Sequence, residues 1–425
     1  MILYRKGGKA MQRVILHCDA NSFYASVECL YRPEIREKPV AVCGDPQARH
    51  GIILTKNTIA KKYGVKTGEA IWQARQKCPD LVCVPPDFPL YSRFSGKMRK
   101  IYEEYSPRVE AFGLDECWID LTQPGLSFER GVRIAHEIRC RVREELGITI
   151  SVGVADNKVF AKLGSDLKKP DAVTALPPED YAKKVAPLPV SDLLFVGPAT
   201  TRRLRDLGVR TIGELAALDE TLLRQKLGKN GLTLKSYAAG LDRSPVMAVD
   251  HRACVKSVGN STTPPHDLTT SDDARCILYL LAESVAARLR QGGFRAQCVS
   301  VSARTTDLVT RSCQMLLKRP SNLAEELAAA ALSLFDQRFS HGFPYRSVGI
   351  ACSQLTSDDA PIQLDFTGDE EKRMHKETLE RSIDDLRRRY GHQIIQRGVV
   401  LCDKGYAKIN PVEEHTIHPV PFYIG

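Results

Sequence analysis

The sequence predicts an α+β chain of several domains, and three observations carry that expectation. Residues 13 to 155 alternate β-branched runs with helical periodicity in the order strand, helix, hairpin, helix, strand. Residues 190 to 240 hold short basic helices only, after a proline-rich break. From residue 254 a second order begins, βαββαβ. The first order is the split βαβ pattern, and 425 residues with 43% hydrophobic content suffice for two to four domains.

The first strand, "RVILHCD", ends at Asp19. The helix "NSFYASVECL" follows, with Phe23, Val27 and Leu30 at i, i+4 and i+7 and with Asn21 or Ser22 as its cap. "KPVAVCG" is a second strand, and "HGIILTKNTIAKKYGVKTG" reads as strand, turn and short basic helix. Up to "CPDLVCVPPDF" these form a small inserted lobe. "SRFSGKMRKIYEEYSPRV" is a helix stopped by Pro107. Next, "AFGLDECWIDL" sets Asp115 and Glu116 between two apolar runs. Successive residues of one strand face opposite sides, so both carboxylates can address one point only if the chain turns; residues 113 to 116 are therefore a hairpin tip. A helix from Phe128 to Leu146, with Ile134, Ile138 and Val142 at four-residue steps, returns to the strand "ITISVGVA".

Prolines in "LPPEDYAKKVAPLPV" break the pattern, and "DRSPVMAVDHRA" reads as a linker. The second unit runs through "CVKSVGNSTT", a helix opened by Ser271, strands "AQCVSVSAR" and "LVTRSCQML", a helix from Asn322, and "YRSVGIACSQL". Val299, Val301 and Ala303 alternate with Ser300, Ser302 and Arg304, giving one core face and one face polar enough to touch a phosphate backbone. A tail helix, 368 to 390, has a Thr367 to Glu370 capping box and Arg387 to Arg389 in its last turn. Its apolar stripe, Leu379, Ile383 and Leu386, is expected to dock.

The thirteen cysteines are scattered, with no C-x-x-C pair and no His at zinc-ligand spacing, which implies a reducing compartment and no structural zinc. No apolar run approaches the roughly 18 residues of a membrane span. Arg5, Lys6 and Lys9 are followed by no signal-peptide core. A cytoplasmic protein is expected. Net charge +10 and a pI near 8.9 suit a polyanionic partner.

Desolvating paired carboxylates is costly unless a cation meets them. In a split βαβ sheet the strand ending at Asp19 lies beside the hairpin carrying Asp115 and Glu116, so three acids converge. Hard, oxygen-liganded Mg²⁺ with phosphate completing its octahedron is the expected occupant. Asp120 is an ordinary polar-face residue.

The stretches "CDANSFYASVE", "GLDECWIDL", "GVADNKVFAKLGSDLKKPD" and "GIILTKNTIAKKYGVKTG" resemble Y-family translesion DNA polymerases of the bacterial DinB/UmuC type, over about residues 12 to 355. The resemblance implies a right-hand polymerase: a ferredoxin-like palm (1–28 with an N-terminal extension, and 87–176), small fingers (29–86), a helix-hairpin-helix thumb (177–241), a linker (242–253), a βαββαβ little finger (254–356) and a tail (357–425). It implies two Mg²⁺ ions held by Asp19, Asp115, Glu116 and the carbonyl of Ala20, serving in-line nucleotidyl transfer. Tyr24 matches a steric gate against the ribose 2′-hydroxyl. Lys61 and Lys169 match triphosphate-binding cations, with hydroxyl donors at Thr55 and Thr58. One common family version has an aromatic at the position of Thr58 and an Arg at that of Lys61, and a lysine lacks the bidentate fork. Some members carry an acid at the position of Asn21.

"LLFVGPATTRRLRDLGV" resembles the thumb's phosphate-binding turn at Gly197, with Arg202 and Arg203 beside it, although Phe195 replaces a usual glycine. Lys256, Arg295, Arg304, Arg311 and Arg346 of the little finger are candidate phosphate contacts. "PIQLDF", 361 to 366, resembles sliding-clamp peptides through Gln363, Leu364 and Phe366, one residue short of the fuller version. The expected partners are primer-template DNA, deoxynucleoside triphosphates and the clamp, for a monomeric enzyme that adds nucleotides distributively, with low fidelity and past damaged bases. A catalytically weak or inactive repair scaffold of the same family is the alternative, and a nucleotidyl cyclase a more distant one.

Overall fold

The computed structural model describes residues 12–45, 51–251, 254–339, 344–361, 369–403 and 405–411. The chain divides into two compact units, which part near residue 252.

In the first unit, β1 (Ile15–Ala20) runs into α1 (Phe23–Tyr31). A three-stranded lobe follows: β2 (Val40–Cys43), β3 (Ile53–Lys56), α2 (Thr58–Lys62), α3 (Ile71–Lys77) and β4 (Val82–Val84), with sheet order β3-β2-β4. Then come α4 (Phe88–Glu103), β5 (Val109–Ala111), β6 (Glu116–Asp120), α5 (Phe128–Leu146), β7 (Ile150–Ala155), α6 (Lys158–Leu167) and β8 (Val173–Ala175). Their sheet has the order β5-β6-β1-β7-β8, antiparallel except where β8 joins β7. Without β8 this is the split βαβ arrangement: β1 and β5 are parallel partners of one crossover, with β6 inserted between them.

Both faces of this sheet are covered. Leu16, Cys18 and Ala20 join Ile138 and Val142 of α5 and Tyr91 and Met98 of α4 in one core. Ile15 and Trp118 join Phe160 and Leu163 of α6 in another. Every residue of β1 and β7 is buried, as a central strand between two layers requires. Helix α6 lies unusually close to β7, because a Cβ built on Gly153 would stand 1.9 Å from the Ala161 carbonyl oxygen.

Three short helices follow, α7 (Pro198–Asp206), α8 (Ile212–Ala217) and α9 (Glu220–Ala238), the last kinked at Gly228. The segment read as a linker is tied down: the Ser244 carbonyl accepts from Arg13, the Met247 N–H donates to Glu110, and Val249 exchanges bonds with Pro107 and Arg99.

The second unit contains β9 (Ser257–Thr262), α10 (Ser271–Gln291), β10 (Phe294–Thr305), β11 (Thr310–Ser321), α11 (Ala324–Arg338) and β12 (Tyr345–Ser357), with antiparallel pairs in the order β11-β10-β12-β9. Val299, Val301 and Ala303 point into its core, while Ser300, Ser302 and Arg304 do not.

Two readings of local sequence are corrected. Neither Asn21 nor Ser22 caps α1: Ser22 takes a left-handed conformation with φ 50° and its side chain makes no cap bond. Asn21 instead donates to Ser151 and accepts from Thr149 and from the N–H of Asp171, binding three segments together.

The tail helix α12 (Asp369–Tyr390) docks, but not by its apolar stripe. Leu379 is 59% exposed and Leu386 40%. The docked face carries charges at 373, 377, 380, 384 and 387, spaced as a helical stripe. Buried Arg290 holds Asp384 through two nitrogens (2.7 and 3.0 Å) and also pairs with Glu380, whose carboxylate accepts from the N–H of Ala324 at the start of α11.

Candidate active site

Strand β1 ends where the β5–β6 hairpin turns. Asp19 and Glu116 are directly opposed residues of β1 and β6, and the Ala20 N–H donates to the Asp115 carbonyl at 3.0 Å. The hairpin tip is real: the Phe112 N–H bonds the Glu116 carbonyl, and Gly113 turns with φ 107°. Three carboxylates thus gather at one end of the sheet.

Each is shaped by burial and by amines. Burial pushes Asp19 up to about 7, Lys169 at 2.8 Å pulls the other way, and Glu116 and Asp115 add repulsion. Asp115 is pushed up to about 6, by burial and then by the charge of Glu116. Burial opposes ionisation of Glu116 too, but His17 and Lys162 overcome it and hold the carboxyl down at about 2. Lys162 bonds Glu116 Oε2, and His17 Nε2 approaches the same oxygen at 3.4 Å. Among the described residues no group of three or more His, Cys, Asp and Glu side chains already stands in metal-binding array. Two ammonium groups instead meet Asp19 and Glu116, which marks the site as one that demands positive charge. Three acids plus the Ala20 carbonyl are an all-oxygen donor set of the kind that fits Mg²⁺.

Tyr24 is half-buried on α1, stacked on Tyr91 with centroids 4.3 Å apart and planes 11° from parallel, with Phe88 edge-on at 6.0 Å. Tyr91 is itself anchored, donating to buried Glu28 at 2.6 Å. Burial and the Asp115 charge raise the Tyr24 phenol to about 12. Thr55 lies on β3, paired across from Val42, while Thr58 and Lys61 are exposed on α2. Among the described residues none of these three bonds the acids. Lys169 does, through Asp19.

Sequence reasoning passed over several residues here. Asn57 caps α2, accepting from Ala60, and is lashed to β2 through Val40 and Lys38. Lys162 and the His17–Ser165 pair lie behind Glu116. "HCD" and "AKLGSD" held their signal, a polar residue two positions before Asp19 and polar residues on an otherwise apolar helix face.

Elsewhere in the first unit, Gly197 precedes α7 and Arg202 and Arg203 are exposed upon it; the left-handed turn falls on Phe195, φ 68° and 62% exposed. In the second unit Lys256, Arg304 and Arg311 are exposed and Arg346 is partly so. Arg295 is not a free surface cation: it pairs with Glu377 of α12 at 3.0 Å, and both side chains are 14% exposed. Gln363, Leu364 and Phe366 lie outside the described residues.

The fold is thus a split βαβ sheet that gathers acids at the end of its first strand and at its central hairpin. Comparison with known proteins agrees. The impB/mucB/samB family matches residues 18–166, and the C-terminal domain of the same family matches 255–366. DNA polymerase IV of Acetivibrio thermocellus is 47% identical over 399 residues, 94% of this chain and 100% of that protein. DNA polymerase IV 1 of Bacillus subtilis is 37% identical, covering 92% and 93%. Among solved structures, a Y-family DNA polymerase chimera of Dbh and Dpo4 superposes with a TM-score of 0.73 at 24% identity, covering 81% of this chain and 99% of that one. The chain belongs to the impB/mucB/samB family, the Y-family DNA polymerases.

Proposed function

We propose that this chain is a DNA-directed DNA polymerase of the translesion type, whose palm transfers nucleotides at Asp19, Asp115 and Glu116. The observation that carries the site is the opposition of Asp19 and Glu116 across β1 and β6, with Asp115 bonded through its carbonyl to Ala20. A divalent metal is required by the family; here two Mg²⁺ ions would be held by the three carboxylates and the Ala20 carbonyl. Bound there, they would supply the charge that acidifies a primer 3′-hydroxyl and neutralises a leaving pyrophosphate.

The chain's own residues do the rest. Lys162 and Lys169 neutralise the acids before substrate arrives, and Lys169, with Lys61, Thr55 and Thr58, then binds triphosphate oxygens. Tyr24, held flat on Tyr91, blocks a ribose 2′-hydroxyl. Gly197, Arg202 and Arg203 hold a DNA phosphate, as do Lys256, Arg304, Arg311 and Arg346. Residues 1–28 and 87–176 are assigned to the palm, 29–86 to the fingers, 177–241 to the thumb and 254–356 to the little finger. The 361–366 peptide is assigned to a sliding clamp, and the enzyme to the cytoplasm as a monomer. Among the described residues no helix is long and apolar enough to cross a membrane.

Extension of a labelled primer with Mg²⁺, on intact and lesion-bearing templates, tests this beside Asp115→Ala. Template-directed addition by the parent and none by the variant is expected. No addition by either would leave a repair scaffold in its place.

A further inference from the structure

Behind Glu116 lies a second layer of polar groups that the reaction does not touch. His17 is completely buried on β1, its ring edge-on to Trp118 with centroids 5.2 Å apart. Its Nδ1 stands 2.9 Å from Ser165 Oγ, on α6, and its Nε2 3.4 Å from Glu116 Oε2. That last separation is at the far edge of hydrogen-bond range and off the line of the ring N–H, and among the described residues Nε2 has no closer partner.

Proton accounting decides which nitrogen carries hydrogen. Ser165 has one hydroxyl proton and two acceptors in reach, His17 Nδ1 and the Lys162 carbonyl at 2.7 Å. The Lys162 carbonyl lies inside α6, where the helical ladder already supplies an N–H four residues on. The Ser165 hydroxyl stands within donating distance of that carbonyl, but because the ladder bond remains either way, turning the proton to Nδ1 leaves no backbone acceptor unpaired. The opposite tautomer would aim an Nε2 lone pair at a carboxylate in a water-poor layer, leaving a buried acceptor unpaired.

We infer that His17 is a positioning residue, fixed by the Ser165 hydroxyl as the Nε2–H tautomer so that it clamps Glu116 Oε2. Lys162 takes the same oxygen from a second side. With Oε2 tied from within, Oε1 would be the oxygen left for an ion. Partners of this kind behind a ligand are worth about 10- to 100-fold in metal affinity or activity. This rests on the reading of Glu116 as a metal ligand.

Two variants separate the N–H from the ring. His17→Phe keeps the aromatic packing on Trp118 and removes the donor. His17→Gln gives up the ring and keeps an N–H near the Nε2 position. Nitrogen-15 NMR of the metal-free full chain, with the His17 signals assigned by their loss in His17→Gln, is expected to show Nε2 protonated and Nδ1 bare, and that preference is expected to fail in Ser165→Ala. In a calorimetric Mn²⁺ titration His17→Phe is expected to bind about 10-fold or more weakly, with kcat reduced and the nucleotide KM little changed, while His17→Gln stays close to the parent. A protonated Nδ1 in the parent, or a His17→Phe that binds Mn²⁺ as the parent does while His17→Gln does not, overturns the inference. Asp115→Ala goes into the same titration: if it binds Mn²⁺ like the parent, the metal reading itself has failed, whatever the tautomer.

Discussion

The ring of Tyr24 lies face to face on Tyr91, and the Tyr91 hydroxyl is spent on Glu28, a carboxylate only 2% exposed. Tyr24 is thereby held by a neighbour that is itself pinned. Tyr24→Ala should admit ribonucleotides in primer extension. Tyr91→Phe keeps the stack and should leave sugar discrimination near the parent's. It leaves Oε1 of the buried Glu28 without its donor, however, with Arg32 still 3.7 Å from Oε2, and should lower stability by about 1–3 kcal/mol, read from denaturant midpoints. Unchanged sugar choice in Tyr24→Ala would remove the gate.

The carboxylates should make metal binding steeply pH-dependent. Asp19 is raised to about 7 and Asp115 to about 6, so protons occupy them where ordinary acids are bare, and a cation must displace those protons. Affinity for Mn²⁺ should therefore fall as pH drops. The expected slope of log affinity against pH approaches about one between the two values and about two below the lower. Glu116, held at about 2, stays charged throughout and adds nothing to that slope. Calorimetry at several pH values measures it.

Close approach of α6 to β7 sets where Lys162, Ser165 and Lys169 stand. A Gly153→Ala methyl would meet the Ala161 carbonyl at 1.9 Å and the Ser165 N–H nitrogen at 2.5 Å, so the helix must shift. The cost should be at least about 1–3 kcal/mol, with a fall in primer extension larger than the loss of folded protein explains. Thermal melts beside activity would separate the two.

Arg290→Ala should destabilise the second unit by about 3–5 kcal/mol, because it strips Asp384 of its buried guanidinium and leaves Glu380 beside it with only the Ala324 N–H and Arg397 at 3.9 Å. Leu379→Ser, on the exposed stripe, should change stability by less than about 0.5 kcal/mol. The reverse ranking would mean that the apolar stripe does the docking.

These contrasts also show what was legible in the sequence. The neighbourhood of Asp19 and Glu116 followed from element order alone, because a split βαβ crossover leaves one place for the hairpin and the doublet could converge only at a turn. Asn21 was misread because an N-cap reading assumes an extended residue before the helix, whereas Ser22 is left-handed and frees Asn21 for Ser151, Thr149 and Asp171. The tail helix was misread for a different reason. Periodicity finds apolar faces, but this interface is built from charges whose partners, Arg290 and Arg295, lie some 80 to 95 residues earlier. The same distance hid the pairing of Arg295, which by itself reads as a solvated cation.

The central claim is that Asp19, Asp115 and Glu116 together take up divalent ions when substrate binds, Asp19 giving up Lys169 as it does so. A structure of the full chain with primer-template DNA, an incoming deoxynucleotide and Ca²⁺ in place of Mg²⁺ tests it most directly. The account predicts ions ligated by all three carboxylates, with Lys169 Nζ moved from Asp19 to triphosphate oxygens. Nucleotide bound elsewhere, with Lys169 still on Asp19 and no ion between β1 and the hairpin, would contradict it.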